Sequence, residues 1–244
     1  MRILILADIH ANLTAFQTVL ADVEQRGKVD EVWCLGDVVG YGPDPHECIT
    51  LLQKICRVCI AGNHDLAAIA KIDTSDFNPR AAEANQWTTQ QLTKQDIRYL
   101  SNLPLTLEKG EFTLAHGSPR DPIWEYLFSL NEAAENLSAF NSPYCLVGHT
   151  HQPLVFSFDR FRESAVTKLE HESEVVLGEK RLILNPGGLG QPRDGDPRAS
   201  YGIYDSTIRT FTFYRVAYDI KAVQERMREH DLPAMLISRL EVGR

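Results

Sequence analysis

The strongest constraint in this sequence is a set of five short segments with metal-binding side chains, nearly all at the end of an apolar run. The runs have the composition of buried strands and are Ile3-Leu4-Ile5-Leu6-Ala7, Val32-Trp33-Cys34-Leu35, Val58-Cys59-Ile60-Ala61, Phe112-Thr113-Leu114-Ala115 and Cys145-Leu146-Val147. The segments after them are Asp8-Ile9-His10, Gly36-Asp37, Gly62-Asn63-His64-Asp65, His116-Gly117 and Gly148-His149-Thr150-His151. Ligands of open α/β sheets bind beyond the carboxyl ends of the strands. We therefore expect the five segments to converge on one point and predict a metal-dependent hydrolase.

The composition is that of an ordinary globular protein with enough apolar residues for a substantial core. The chain has 244 residues, of which 43% are hydrophobic and 24% are charged. It contains no low-complexity tract, internal repeat or Pro-rich linker. Because the five segments extend from residue 8 to residue 151, we predict a single domain over residues 1–244. Within it we expect a helical, cap-like insert at about 66–104 and a helical tail at about 219–244.

The charge pattern argues against bulk nucleic-acid binding. The formal net charge is −8, the pI is near 5.5, and no basic run stands out. Bound metal ions could still create a local cationic site. No stretch approaches the roughly 20 apolar residues of a membrane-spanning helix, and the apolar run after Arg2 is too short for a signal peptide. We expect no membrane association.

Cysteine usage favours a reducing compartment. The five cysteines lie in apolar contexts, so we expect reduced thiols and a cytoplasmic protein. The spacing of Cys56 and Cys59 fits half of a zinc site or a redox pair. No second pair follows, and a predicted core strand at 55–61 would direct the two thiols to opposite faces. We therefore favour inert, buried thiols.

The order of predicted elements indicates an α/β fold. Strands at 2–7, 31–35 and 55–61 alternate with helices at 12–26 and 45–54, which is the rhythm of a parallel sheet with helical crossovers. The later elements are predicted as strands at 107–109, 112–115, 144–147, 153–158, 174–178, 181–184, 201–205 and 208–216, with helices at about 78–92, 131–139, 219–230 and 233–242. The pattern Thr93-x-x-Asp96 resembles a capping box and predicts another short helix that begins there.

The residue types of the five segments suit two divalent cations. They divide into two terminal sets and one bridge: Asp8, His10 and His151 for one ion, Asn63, His116 and His149 for a second, and Asp37 between them. Mixed nitrogen and oxygen ligands suit Mn, Fe, Zn, Co or Ni rather than Ca. Two ions that share a carboxylate lie roughly 3.5–4 Å apart, lower the pKa of a shared water and clamp phosphate oxygens. His64 is then the natural acid for the leaving oxygen.

A single segment of this kind would carry little weight. Asp-x-His is common, a lone Gly-Asp is usually a turn, and a lone histidine is more often a hydrogen-bonded group than a ligand. The joint occurrence of all five at strand ends is what favours a metal site.

These motifs resemble those of the calcineurin-like metallophosphoesterase superfamily, over roughly residues 1–216. The motifs are Asp8-Ile9-His10, Gly36-Asp37-Val38-Val39-Gly40, Gly62-Asn63-His64-Asp65, His116-Gly117 and Gly148-His149-Thr150-His151. The short length and the stretch 185–193 resemble its compact prokaryotic phosphodiesterase-like branch. The resemblance implies a four-layer αββα sandwich of two mixed β-sheets flanked by helices. It also implies the two-metal assignment above and phosphoester hydrolysis by a hydroxide that bridges the ions.

The sequence departs from this pattern at one position. In the protein phosphatases of the superfamily, an aspartate three residues after the bridging carboxylate orients the acid histidine. Here that position is Gly40, three residues after Asp37. His64 therefore lacks the expected partner, and Asp65 need not face it.

Substrate contacts are less sharply indicated. Asn12 is a candidate because it lies just beyond the first ligand pair. Arg193 is a candidate because guanidinium matches the geometry of phosphate. For Asn12 we favour the role of an N-cap, and Asp194 or Asp196 could equally pair with Arg193. The aromatic residues that could stack a base or aryl group, or simply pack, are Phe77, Trp87, Trp124 and Tyr126.

The sequence thus predicts a phosphoesterase that acts on phosphomonoesters or phosphodiesters. We expect a small phosphorylated substrate, of nucleotide type or a phosphoprotein, and we leave a homo-oligomer open. The alternative is a non-catalytic protein-interaction scaffold on the same fold, like a retromer scaffold subunit that resembles phosphoesterases but has lost site residues. Because all seven expected ligands and His64 are present, we favour an enzyme.

Overall fold

Two mixed six-stranded sheets form the centre of the protein. The computed structural model describes residues 1–159 and 164–244. The strands are β1 (Arg2–Leu6), β2 (Glu31–Cys34), β3 (Val58–Cys59), β4 (Thr106–Lys109), β5 (Phe112–Ala115), β6 (Tyr144–Leu146), β7 (Pro153–Phe158), β8 (Ala165–Lys168), β9 (Glu174–Val176), β10 (Arg181–Pro186), β11 (Ala199–Asp205) and β12 (Thr210–Val216). The strand order is β3-β2-β1-β11-β12-β9 in the first sheet and β4-β5-β6-β10-β7-β8 in the second.

The helices lie outside the two sheets. They are α1 (Leu13–Gln25), α2 (Pro45–Ile55), α3 (Asn63–Ala68), α4 (Pro79–Gln91), α5 (Lys94–Ser101), α6 (Leu130–Glu135), α7 (Ile220–Glu229) and α8 (Ala234–Val242). Helices α1 and α2 share an apolar cluster with the outer face of the first sheet. Helix α6 packs on the outer face of the second sheet. The predicted αββα sandwich is confirmed.

Strand β1 shows why the sheets stack. Successive side chains of a strand point to opposite faces. Ile3 and Ile5 therefore enter the core between the sheets, while Leu4 and Leu6 face the helices. All four are at most 1% exposed, as expected for a central strand covered on both faces. Pairing with β2 on one side and β11 on the other sets the register of β1 and hence the position of the loop after it.

Each sheet contains three parallel neighbours whose carboxyl ends lie at the same edge. In the first sheet these are β1, β2 and β3, and in the second β5, β6 and β10. The core between the sheets includes an aromatic group in which Phe112 lies 5.1–5.6 Å from Trp33, Tyr144 and Tyr204, between ring centroids. This packing joins the two sheets and brings their parallel strands together.

The segment at 66–104 is helical, as predicted. Asn78 caps α4 by accepting a hydrogen bond from the Ala81 amide at 3.0 Å, with Pro79 at the first helical position. Thr93 and Asp96 form a reciprocal capping box at α5, which confirms that reading of the sequence. Within the described ranges, no helix is long and apolar enough to cross a membrane.

The predicted strand at 55–61 is wrong in its bounds. Helix α2 continues through Ile55, and the Cys56 amide still donates to Leu52 at 2.8 Å. Only Val58–Cys59 pairs as a strand, so the argument from opposite faces does not apply to the two cysteines. All five cysteines are nevertheless free and buried. Strand β8 is an element that the sequence did not predict.

The core between the sheets can be tested with one leucine pair. Leu184 in β10 is fully buried, whereas Leu105 is 44% exposed. We expect Leu184→Ala to lower the free energy of unfolding by about 2–5 kcal/mol because it leaves a cavity. The matched control Leu105→Ala should change it by less than about 0.5 kcal/mol. Urea titration of both variants measures the difference, and equal losses would contradict this placement of the core.

Candidate metal centre

Loops at the carboxyl ends of four strands, β1, β2, β5 and β6, bring six of the seven predicted ligands to one buried centre. Two groups of side chains form there, and in each group the potential ligand atoms lie within 4.8 Å of one another: Asp8, His10 and His151 in the first group, and Asp37, His116 and His149 in the second. Each of the six is at most 3% exposed. Either group has the composition and size to hold a metal ion.

The backbone at this centre is strained. Eleven non-glycine residues in the described part of the chain have positive φ, and seven of them lie here: Asp8, His10, Ala11, Asp37, Tyr41, His149 and His151. Each such residue costs on the order of 1–3 kcal/mol and persists only where its surroundings fix it. The first loop is fixed on the second by amides of His10 and Ala11, which donate to the Asp37 and Val38 carbonyls, each at 2.9 Å.

Backbone carbonyls set the tautomers of three histidines. The Nδ1 atoms of His10, His116 and His151 lie 3.0, 2.7 and 2.5 Å from the carbonyl oxygens of Val39, Leu35 and Gln191. An Nδ1–H that donates to a carbonyl leaves a lone pair on Nε2. This arrangement is the usual outer support of a metal-binding imidazole.

The Nε2 atoms point into the centre. Those of His10 and His151 face each other at 3.0 Å. One carboxylate oxygen, Asp37 Oδ2, lies 3.6 Å from His10 Nε2 and 3.3 Å from His116 Nε2. Asp37 Oδ2 therefore faces both groups, while Asp37 Oδ1 accepts a hydrogen bond from the His64 amide at 2.9 Å. A carboxylate in this position has the geometry of a bridge.

Several buried polar atoms of the centre have no hydrogen-bond partner among the residues that the structure describes. They are Asp8 Oδ2, Asn63 Oδ1, His64 Nδ1, His116 Nε2 and His149 Nε2. A buried polar atom without a partner costs about 1–3 kcal/mol. Four of these atoms belong to predicted ligands, and a cation would satisfy them. The residues present therefore fit divalent metal ions.

The electrostatics of the centre also favour positive charge. Burial raises the pKa of Asp8 to about 7, against the opposing effect of His116. Burial also works to raise the pKa of Asp37, but His116 and then His64 outweigh it and hold that pKa well below its usual range. Burial works to lower the pKa of His116, but the Asp37 carboxylate outweighs it and raises that pKa to about 9. Positive charge is therefore attracted to the position between His116 and Asp37.

The remaining histidines of the two groups are held neutral. Burial lowers the pKa of His10, His149 and His151 well below the usual range. Neutral imidazoles keep the lone pair that a metal ligand needs. Tyr126 stacks on the His149 ring with 3.9 Å between ring centroids and an angle of 23°.

His64 lies beside the two groups, and no carboxylate of the described residues forms a hydrogen bond or ion pair with its ring. Asp65 faces away, because its Oδ1 accepts from the Val38 and Val39 amides and its Oδ2 from the Gly62 amide. Burial lowers the pKa of His64 to about 4, although Asp37 opposes this. The side-chain amide of Asn85 in α4 donates a hydrogen bond to the backbone carbonyl oxygen of His64 at 3.1 Å. This hydrogen bond joins α4 to the segment that carries His64.

Gly40 leaves no space for the missing aspartate. A Cβ atom at this position would lie 2.5 Å from His64 Nδ1 and 2.9 Å from His64 Cγ. The φ of Gly40 is +88°, a conformation that other residues rarely adopt. The packing around His64 therefore excludes an aspartate at position 40.

The two candidate substrate contacts differ. The side chain of Asn12 caps α1 by accepting from the Ala15 amide at 3.0 Å, and its amide group donates to the Gly190 carbonyl at 2.9 Å. Arg193 donates to the side-chain oxygen of Gln191 at 3.0 Å. Arg193 lies close enough to the centre to influence the pKa of Asp8.

The acidic neighbours of Arg193 are occupied by other cations. Asp194 pairs with Arg215 and lies 3.4 Å from Lys168, and Asp196 pairs with Arg198 at 2.7 Å. Among the described residues Arg193 forms no salt bridge, so its charge remains available to an anion.

The four candidate aromatic residues occupy different places. Phe77 packs on His64, with ring centroids 4.7 Å apart, and Trp124 meets the Phe77 ring edge at 5.6 Å. Trp87 instead packs on His230. Sequence reasoning missed Phe128, which is 48% exposed and stacks on Tyr126 at 5.5 Å. The signal available in the sequence was the alternation Tyr126-Leu127-Phe128, in which the two aromatic residues are two positions apart.

Comparisons with known proteins show which family and which chains this protein resembles. Residues 1–208 match the calcineurin-like phosphoesterase superfamily domain. A crystal structure of a metallophosphoesterase from Sphaerobacter thermophilus is 45% identical, with a TM-score of 0.91 over 100% of this chain and 99% of that one. An uncharacterized protein of Methanocaldococcus jannaschii is 37% identical over 99% of this chain and 98% of its own.

A more distant similarity covers part of the chain. The symmetrical bis(5'-nucleosyl)-tetraphosphatase of Vibrio cholerae is 27% identical over 57% of this chain, and the match spans about half of that protein's length.

The contact between Gly40 and His64 can be measured as stability. Gly110 also has positive φ, +59°, but a Cβ there would meet nothing within 4 Å. We expect Gly110→Ala to cost about 1–2 kcal/mol from backbone strain. Gly40→Ala should cost about 1–3 kcal/mol more, because the methyl group displaces the His64 ring. Chemical denaturation of both variants checks this, and equal costs would show that the position tolerates a side chain.

Proposed function

The chain belongs to the calcineurin-like phosphoesterase superfamily and is a hydrolase that acts on ester bonds, and from this premise we propose that it hydrolyses phosphomonoesters or phosphodiesters with two divalent cations. The observation that carries this proposal is the pair of buried side-chain groups, because histidines of both groups face the same carboxylate oxygen, Asp37 Oδ2. The intact set of groups favours an enzyme over the scaffold alternative.

The proposed ligands follow from the two groups. Asp8, His10 and His151 would hold one ion, and His116 and His149 would hold the other together with Asn63. Support for Asn63 comes from its buried, unpartnered Oδ1 atom. Asp37 would bridge the ions through Oδ2, since that oxygen faces histidines of both groups. When bound, the ions would supply an activated water and withdraw charge from the phosphate oxygens.

The chain's own residues would perform the remaining tasks. His64 would pass a proton to the leaving oxygen, a role that suits an imidazole at the rim of the centre. Arg193 would hold a phosphate oxygen through its guanidinium, which forms no salt bridge with the described residues. Asn12 would act mainly by fixing the first loop, because both ends of its side-chain amide bond to backbone groups. Burial of the surrounding side chains would exclude bulk water and strengthen these interactions.

A nucleotide-type substrate is the finer form of this proposal. Tyr126 and Phe128 form an exposed, parallel aromatic pair that begins at His149. Such a pair can stack against a base or aryl group of the substrate. A nucleotide substrate would also agree with the similarity to a bis(5'-nucleosyl)-tetraphosphatase. This aromatic pair favours a nucleotide over a phosphoprotein.

The two-metal assignment predicts a severe effect of Asp37→Asn. The protein is stripped with EDTA, reconstituted with Mn, Fe, Zn, Co or Ni, and assayed with p-nitrophenyl and bis-p-nitrophenyl phosphate. We expect two metal equivalents and turnover in the wild type. Asp37→Asn should lower kcat by more than the about 10- to 100-fold typical of outer support residues, because it disturbs both ions.

The control for this experiment is Asp96→Asn. Asp96 is also a buried carboxylate, but it caps α5 away from the centre. Its variant should keep the metal content and the turnover. Near-normal turnover in Asp37→Asn would contradict the bridging role, and a wild type with neither metal nor turnover would favour the scaffold alternative.

The phosphate contact predicts a specific effect of Arg193→Ala. Loss of a charge-assisted hydrogen bond should lower kcat/KM by about 10- to 100-fold while the metal content stays at two equivalents. Arg198→Ala is the matched control, because Arg198 lies in the same loop but is paired with Asp196. If both variants lose activity equally, the loop and not the Arg193 charge is responsible.

A further inference from the structure

His64 is enclosed by aromatic rings. Its ring centroid lies 4.3 Å from that of Tyr41, 4.7 Å from that of Phe77 and 4.9 Å from that of His10. Within the part of the chain that the structure describes, its Nδ1 atom has no hydrogen-bond partner. Orientation of this imidazole therefore depends on ring packing and not on a polar contact from its side chain.

Tyr41 is an unusual residue at this position. Its φ is +62°, directly after Gly40 at +88°, and a bulky residue in this region is a conformational outlier. The side chain is only 4% exposed. Its ring also contacts His10, with centroids 4.6 Å apart. Strain of this kind persists only where the surrounding structure imposes it, and it is concentrated at functional sites.

The C-terminal helices impose the position of Tyr41. Tyr41 belongs to an apolar cluster with residues of α4, α7 and α8, among them Val223, Met227 and Leu240. An ion pair adds to this packing, because Arg226 of α7 lies 2.9 Å from Asp44 in the loop that carries Tyr41. Helices α7 and α8 lie beyond the region 1–208 that matches the family, so this support is a feature of the additional segment.

We propose that Tyr41 and Phe77 are positioning residues that hold the His64 ring by packing, with Tyr41 fixed in turn by the C-terminal helices. This arrangement replaces an orienting carboxylate, for which Gly40 leaves no space. The inference rests on the proposed function, in which His64 protonates the leaving oxygen. Tyr41 contributes its ring, so its hydroxyl group is dispensable for this role.

The first experiment follows the His64 ring in the metal-free protein. Its ring nitrogen resonances are identified in ¹⁵N-histidine-labelled protein by their loss in His64→Ala. We expect one set of resonances in the wild type and in Tyr41→Phe, and broadened or multiple resonances in Tyr41→Leu. The matched control is Trp87→Leu, because Trp87 packs on the same apolar cluster but contacts His230. An unchanged spectrum in Tyr41→Leu would overturn the proposal.

The second experiment compares two leaving groups in the reconstituted enzyme. With phenyl phosphate, whose leaving group needs an acid, Tyr41→Leu should lower kcat about 10- to 100-fold. With p-nitrophenyl phosphate the loss should be several-fold smaller, and the metal content should not change. Tyr41→Phe should match the wild type. In a His64→Ala background, Tyr41→Leu should add no further loss, because a positioning residue acts only through the group that it positions.

The outcomes separate this inference from the proposed function. If the losses of Tyr41→Leu and His64→Ala multiply in the double variant, or if Tyr41→Leu loses equally with both substrates, Tyr41 acts on the substrate or the ligands. Either result would overturn the inference. If Tyr41→Leu does not fold, Phe77→Leu carries both experiments with the same expectations. A wild type without turnover would contradict the proposed function, and the resonances of His64 would still decide the positioning role.

Discussion

The structure depends on the burial of two carboxylates, Asp8 and Asp37, among histidine side chains between two sheets. Both carboxylates are at most 1% exposed. A buried charge is tolerated only when it is paired or binds a metal. His10, His149 and His151 supply neutral nitrogen lone pairs, while His116 faces the Asp37 carboxylate. The strand-end loops therefore bury two carboxylates whose negative charge a divalent cation would balance.

Backbone strain is one cost of this arrangement. Positive φ angles are concentrated in the loops after β1, β2 and β6, and hydrogen bonds between these loops hold them in place. Carbonyl oxygens, which serve only as acceptors, select one tautomer of His10, His116 and His151. The rigid strands beneath fix the origin of each loop. Hydrogen bonds within the protein thus fix these loops, at the expense of local conformational strain.

Much of this could be predicted from the sequence, because strand ends and ligand types are local patterns. The apolar runs before Asp8 and Asp37 predict strands, and parallel strands place such residues at one edge. The capping box of α5 is also a local signal. Contacts between distant elements could not be found in this way. The Leu35 carbonyl against His116 involves backbone atoms that every residue has, and so leaves no trace in the sequence.

The differences between prediction and structure also come from contacts between distant elements. Residues 55–61 are apolar enough for a strand, but helix α2 extends through Ile55 and leaves only Val58–Cys59 to pair with β2. Gly40 signalled that a carboxylate was missing, while the aromatic rings that surround His64 come from residues 41 and 77. Only the packed structure shows that the missing group has no space and that another contact takes its place.

The most direct test of the two-metal centre is anomalous X-ray scattering from a crystal of the manganese-reconstituted protein. The account predicts two anomalous peaks, one beside Asp8, His10 and His151 and one beside His116 and His149, with Asp37 Oδ2 between them. Their separation should be roughly 3.5–4 Å. A single peak, or two peaks that do not share Asp37, would contradict the account.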